Sequence, residues 1–317
     1  MKTAVALPIR WLLWTGLAGL WAAGCATAPP KVELPASLDI PRNVELTDVP
    51  FHPQDQYQCG PASLAMTLEW SGVAVTPEQL KPQVYTASRQ GSLPPDMIGA
   101  ARRHGRVAYP VHRLEYILKE VAGGHPVIVL QRLSSFMQTT WHYAVVIGYD
   151  LDRREIVLHS GVKKREVLSF DAFAETWRPW SRWAILTLSP NKLPVTAEAG
   201  VYLKAVVGLE QTQRWGEAET AYATAAARWP HHPTVWIGLG NSRYARGNLN
   251  GAEQAFRSAV RAAPEAGPAY NNLAHILMEL NRKEEALNVI HQAIRLGGPL
   301  ADVFRKTLAE IQQHPGG

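Results

Sequence analysis

Residues 54–66 read Gln54-Asp55-Gln56-Tyr57-Gln58-Cys59-Gly60-Pro61-Ala62-Ser63-Leu64-Ala65-Met66. Gly60 and Pro61 follow the cysteine directly, and Ala62, Leu64, Ala65, Met66 and Leu68 then place apolar residues at helical spacing up to a stop at Gly72. A helix is therefore predicted to start at the cysteine, with the thiol at its amino terminus. Unpaired backbone N–H groups and the positive end of the helix dipole favour a thiolate there, the ionisation state that attacks a carbonyl. The chain has 2 cysteines, and Cys25 falls in an export signal, so no disulfide partner is left for Cys59. A lone exported thiol is either a small buried hydrophobe or a nucleophile.

The export signal occupies residues 1–25. Lys2 and Arg10 precede the apolar run from Trp11 to Ala23, which is shorter than the roughly 20 residues that span a bilayer, so it reads as a signal peptide. Ala22-Ala23-Gly24-Cys25 resembles a bacterial lipobox, with Ala22 at the position of the usual Leu. The resemblance implies lipidation of Cys25 as the first mature residue. Ordinary cleavage after Ala26-Thr27-Ala28 would leave Pro29 next to the cut, which is unfavourable. Ala26 after the cysteine resembles the rule for outer-membrane sorting, so the expected location is the cell envelope, lipid-anchored at the outer membrane and facing the periplasm. Residues 26–45, with Pro29, Pro30, Pro35 and Pro41, read as an extended tether.

Loss of Lys2 and Arg10 with the signal leaves 30 basic residues against 27 acidic ones, so the formal charge falls from +5 to +3. So mild and scattered a charge does not suit nucleic acid. No Cys/His/Asp spacing suggests zinc and no glycine-rich phosphate loop is present, so neither metal nor cofactor is expected.

Residues 46–190 read as one α+β domain. Thr76-Pro77-Glu78-Gln79 supplies an N-cap, a Pro at the first helical position and a capping-box Gln, and a further helix is expected over Asp96–His104. Short apolar runs then predict strands over Arg106–Val111, Val127–Leu130, Tyr143–Tyr149, Glu155–Leu158, Glu166–Phe170 and Trp183–Leu188.

A cysteine nucleophile needs a base that titrates near neutrality. Of the 11 histidines, His142 opens the strand-like run His142-Tyr143-Ala144-Val145-Val146-Ile147-Gly148-Tyr149. The alternative is a histidine that only fills a hydrogen-bonded core position. Together the Cys59 and His142 segments resemble the papain-like family of bacteriocin-processing, double-glycine leader peptidases. The resemblance implies a papain-like fold, a Cys59–His142 pair, and a Gln whose side-chain amide joins the nucleophile's N–H in holding the oxyanion. Gln54 matches that Gln, although it lies five residues before Cys59 where the family has six, and Gln56 stays open as the alternative. Where the family has Asp-Pro after the next strand, this chain has His159-Ser160. His159 is therefore expected to orient His142, as in cell-wall peptidases with a Cys-His-His arrangement, with Ser160 or a backbone carbonyl as the other options.

After a linker over residues 191–198, a repeat with a period of 34 residues sets in. Tyr202, Trp236 and Tyr270 fall in register, as do Ala218, Ala252 and Ala286, then Tyr222, Phe256 and Ile290, then Ala225, Ala259 and Ala293. The pattern resembles tetratricopeptide repeats, with a capping helix after them, over residues 199–313. The whole therefore reads as a lipid-anchored cysteine peptidase acting on a peptide or protein substrate, with repeats that recruit a protein partner or the substrate. A cell-wall peptide amidase or endopeptidase and a non-catalytic peptidase-like scaffold are the alternatives.

Overall fold

The computed structural model describes residues 31–35, 38–54, 58–134, 139–178 and 182–314. The signal segment, Cys25 and Gln56 lie outside them. A seven-stranded sheet forms the centre of the first domain: β1 (Asn43–Glu45), β4 (Val107–Pro110), β5 (Val127–Ser134), β6 (Thr139–Asp150), β7 (Glu155–Ser160), β8 (Lys163–Ser169) and β9 (Ala184–Leu188). All its pairings are antiparallel, in the order β4-β9-β5-β6-β7-β8, and β1 pairs with the end of β6 that β5 does not reach. Gly148 permits that last pairing, because a Cβ there would stand 2.7 Å from the Val44 carbonyl oxygen. β2 (Tyr85–Thr86) and β3 (Gly91–Ser92) form a separate hairpin.

Alternation along β6 assigns the two faces of the sheet. Tyr143, Val145 and Ile147 join the core under α1 (Cys59–Trp70), α2 (Pro77–Val84) and α3 (Pro94–Arg103). Ala144 and Val146 join the opposite core, under α4 (Leu114–Ala122) and α5 (Phe170–Trp177). The capping box at Thr76 forms as the sequence indicates. The third helix starts at Pro94 rather than Asp96, because Pro94 and Pro95 suit a first helical turn. Neither α4 nor α5 was expected. α5 takes over the chain where the last residue of a strand was anticipated, since the Ser169 hydroxyl accepts the Ala172 N–H and caps a new helix.

Three helix pairs follow: α6 (Ala199–Gln211) with α7 (Trp215–Arg228), α8 (Pro233–Ala245) with α9 (Leu249–Ala262), and α10 (Gly267–Glu279) with α11 (Lys283–Leu296). α12 (Ala301–Gln313) closes the stack and buries Phe304 and Ile311. The repeating alanines and Tyr222, Phe256 and Ile290 are buried in every pair, and of the aromatic residues that open the repeats Tyr202 is buried while Trp236 and Tyr270 are half-buried.

The first pair shares its core with the sheet. Tyr202, Leu203, Val206 and Leu209 of α6 pack in one apolar cluster with Val107 and Tyr109 of β4 and Leu186 of β9. The residues leading into α6 are pinned from below. Glu120, fully buried on α4, accepts the N–H groups of Val195 (3.1 Å) and Thr196 (2.7 Å) and the Thr196 hydroxyl (2.6 Å), and His125 Nδ1 lies 2.8 Å away. The Tyr109 hydroxyl donates to the Thr196 carbonyl and accepts from the Glu198 N–H. Truncating Glu120 would deprive these part-buried donors of their acceptor. Glu120→Ala should therefore lower stability by about 2–4 kcal/mol, read as a fall in Tm, with Glu120→Gln recovering part of the loss.

Candidate active site

Pairing between β6 and β7 stops at Val145 opposite His159, so the next residues of β6 present an open edge on that side. The amino terminus of α1 enters there. The Tyr143 backbone N–H is directed at the Cys59 sulfur, and the N–H groups of Cys59 and Gly60 at the helix start converge on the same atom. The nucleophile candidate thus sits one residue along β6 from His142. Gly60 makes the approach possible: a Cβ there would lie 2.1 Å from the Ser92 Oγ of β3. Ser92 is held in turn by the Tyr143 hydroxyl, which donates to its carbonyl at 3.2 Å.

Burial dominates the titration of both groups. It pushes the Cys59 thiol up, and the surrounding N–H donors offset this only in part. It pushes His142 down, against an opposing pull from the Glu166 carboxylate. The effect of the helix terminus on the thiol, which favours a thiolate, is thus opposed by desolvation, the larger of the two.

Gln54 is tied to the end of the β7 strand. Its N–H donates to the Gly161 carbonyl at 3.1 Å, just after β7. Its side chain is buried, and neither polar atom of the amide has a partner among the described residues. A buried amide without a partner costs about 1–3 kcal/mol, a cost that a bound oxyanion would relieve.

His159 is not brought to His142. Its Nε2 lies 3.1 Å from the Val49 carbonyl oxygen, its Nδ1 contacts the Lys164 carbonyl, and its ring meets Phe51 edge-on at 5.2 Å. The reason is strand parity. Val146 pairs with Leu158 and both enter the α4–α5 core, so the even-numbered residues of β6 and β7 share that face. His159, opposite Val145, faces the other way. Ser160 stands on the side of His142, and its Oγ lies 3.1 Å from His142 Nε2. His159 instead ties the segment leading to Gln54 onto the β7–β8 hairpin. Glu166 is the residue that the sequence reading passed over. Burial alone would push it up, but Lys163, the Ser160 hydroxyl and His142 together bring it below the usual carboxylate range. Among the described residues no group of three or more His, Cys, Asp or Glu side chains is arranged to hold a metal ion.

Residues 46–185 match the Peptidase_C39 like family. The chain carries a Peptidase_C39-like domain. Residues 203–267 and 243–297 match two tetratricopeptide-repeat families, so this domain is followed by tetratricopeptide repeats. Among solved structures, a C39-like peptidase from Bacillus anthracis is similar at 19% identity with a TM-score of 0.38, over 46% of this chain and 97% of the other. The peptidase domain of Streptococcus ComA, a bifunctional ABC transporter of a quorum-sensing pathway, is similar at 23% identity and a TM-score of 0.36, over 43% and 96%. The repeats are similar to the Yersinia enterocolitica type III secretion chaperone SycD, crystallised with a peptide of the translocator YopD, at 16% identity and a TM-score of 0.33, over 35% and 88%. No curated protein matches the chain.

The close packing at Gly60 gives the C39-like domain a sensitive point. Gly60→Ala should force β3 away from α1, lower stability by about 1–3 kcal/mol and slow alkylation of Cys59, as read by thermal melting and thiol modification of the same sample.

Proposed function

We propose that this chain is a cysteine peptidase in which Cys59 attacks an amide carbonyl and His142 takes its proton. The observation that carries the reading is the meeting at β6 of the Cys59 sulfur under the Tyr143 N–H with His142 next along the strand; beside it stands the buried Gln54 amide, without a partner among the described residues, as the candidate oxyanion donor. Burial disfavours charge on both groups, and His142 acts as a general base during attack. The Gln54 amide and the Cys59 N–H hold the oxyanion of the tetrahedral intermediate. Collapse breaks the C–N bond, the imidazolium gives its proton to the leaving amine, and a thioester remains on Cys59. Water, giving a proton to His142, then releases the acid and restores the thiol. Leu93 before α3 and Trp141 of β6, both substantially exposed, offer apolar surface to a peptide.

The repeats serve as a recruiting surface. Tyr244 and His275 from α8 and α10 meet edge-on at 5.8 Å, and the Tyr244 hydroxyl donates to Glu279 at 2.6 Å. This pre-ordered polar and aromatic strip suits an extended peptide. Leu203 of the first repeat is buried against the sheet and takes no part. Lipidation of Cys25 would hold the protein at the outer membrane, facing the periplasm. No helix among the described residues is long and apolar enough to cross a membrane.

An electrophilic peptide probe should label Cys59 in the parent chain and fail to do so in His142→Ala at neutral pH. Cys59→Ala should lower kcat/KM for a hydrolysed peptide by about three orders of magnitude or more with Tm unchanged. Full activity in Cys59→Ala would end the peptidase reading. Cys25→Ser should move the protein out of the membrane fraction, whereas release of the unaltered protein by high salt alone would contradict a covalent anchor.

A further inference from the structure

His142, Ser160 and Glu166 stand on three adjacent strands and on one face of the sheet. Val146 opposite Leu158 fixes the shared face of β6 and β7, and Leu158 opposite Glu166 extends it to β8. A register shift between Leu158 and Ser160 pairs Ser160 with Lys163. It gives β8 one more residue than β7 over this stretch. The contacts follow from that placement. His142 Nε2 lies 3.1 Å from Ser160 Oγ, Glu166 stands beside Ser160 on the same face, where the hydroxyl helps to hold its carboxyl down, and Lys163 Nζ closes on Glu166 at 2.7 Å.

A serine hydroxyl has a single proton to donate and lone pairs to accept. With Glu166 able only to accept, the Ser160 O–H points to Glu166, and its oxygen is left to accept from His142. We propose that Ser160 and Glu166 act as a two-residue positioning arm for His142: the carboxylate fixes the Ser160 hydroxyl, and Ser160 holds the proton of the imidazole on Nε2. Nδ1 is then the basic atom, available for the Cys59 proton. Glu166 also supplies, through one intervening hydroxyl, the negative charge that favours the imidazolium once the proton arrives. This rests on the Cys59–His142 reading and assigns the role once expected of His159 to residues on two other positions. Burial disfavours the imidazolium and Glu166 opposes that effect, so loss of the Glu166 charge must make proton transfer from Cys59 harder.

The test uses the full-length chain with Cys25→Ser, in which Cys59 is the single thiol, and needs no substrate. The rate of alkylation by iodoacetamide is measured as a function of pH. At high pH Cys59 ionises without help, so the limiting rate reports the thiolate alone; near neutrality the rate depends on transfer of its proton to His142. The groups that bear on that transfer are Cys59 from α1, and Glu166 with its partner Lys163 from β8. Ser160→Ala and Glu166→Gln should each lower the neutral-pH rate by about tenfold while leaving the high-pH limit unchanged, and His142→Ala should lower it at least as far. A profile of either positioning variant that matches the parent at every pH, or that falls by one factor at every pH, overturns the proposal. If His142→Ala also matches the parent at every pH, the Cys59–His142 reading itself fails, a result distinct from failure of Ser160 and Glu166 alone.

Discussion

The site depends on an unpaired stretch of strand. β6 is the longest strand of the sheet, and β7 leaves it after Val145, which frees the Tyr143 N–H to meet the Cys59 sulfur. A backbone N–H left without a partner in the interior is costly, so the helix terminus is drawn to this gap as much as the gap is suited to the helix. Burial of Ala62, Leu64, Ala65, Met66 and Leu68 along α1 then sets the helix against the sheet, with Gly60 allowing β3 to close over its first turn. The chemistry of Cys59 inherits both features: donors aimed at the sulfur, and burial that disfavours charge on it.

Much of this was legible in the sequence because it is local. The Cys59-Gly60-Pro61 start, the capping box at Thr76, the alternating run after His142 and the spacing of 34 residues in the repeats each specify an element from residues close together in the chain. α4 was legible too: Leu114, Ile117, Leu118 and Val121 have helical spacing, but the stretch falls among strand signals and was passed over. α5 was harder, since the strand residues before Phe170 run directly into it and a capping Ser169 is the only mark of the change.

The partner of His142 was not legible in the same way. Which of His159 and Ser160 faces it depends on the register between β6 and β7, and a shift of one residue reverses every side chain. The pairing of Val146 with Leu158 decides the matter, and nothing within either strand specifies it. Glu166 is further removed still, because its place beside Ser160 depends on the shift in register between β7 and β8. The desolvation of Cys59 escaped for a similar reason: a helix start can be read from sequence, whereas the desolvation that opposes its effect depends on what packs over it.

The shared core between β4 and α6 bears on how the two parts came to work together. Glu120 grips residues 195 and 196, and Tyr202, Leu203, Val206 and Leu209 complete a surface that begins in the sheet. A protease joined to a docking module by a slack hinge would search a volume around its captured cargo. Cargo held on α8 and α10, as proposed, would be presented at a bearing set by the first helix pair, so the distance and direction from the docking strip to Cys59 would act as a ruler. Selection of the scissile bond would then follow from how far along the cargo it lies from the captured segment, in addition to the side chains that flank it.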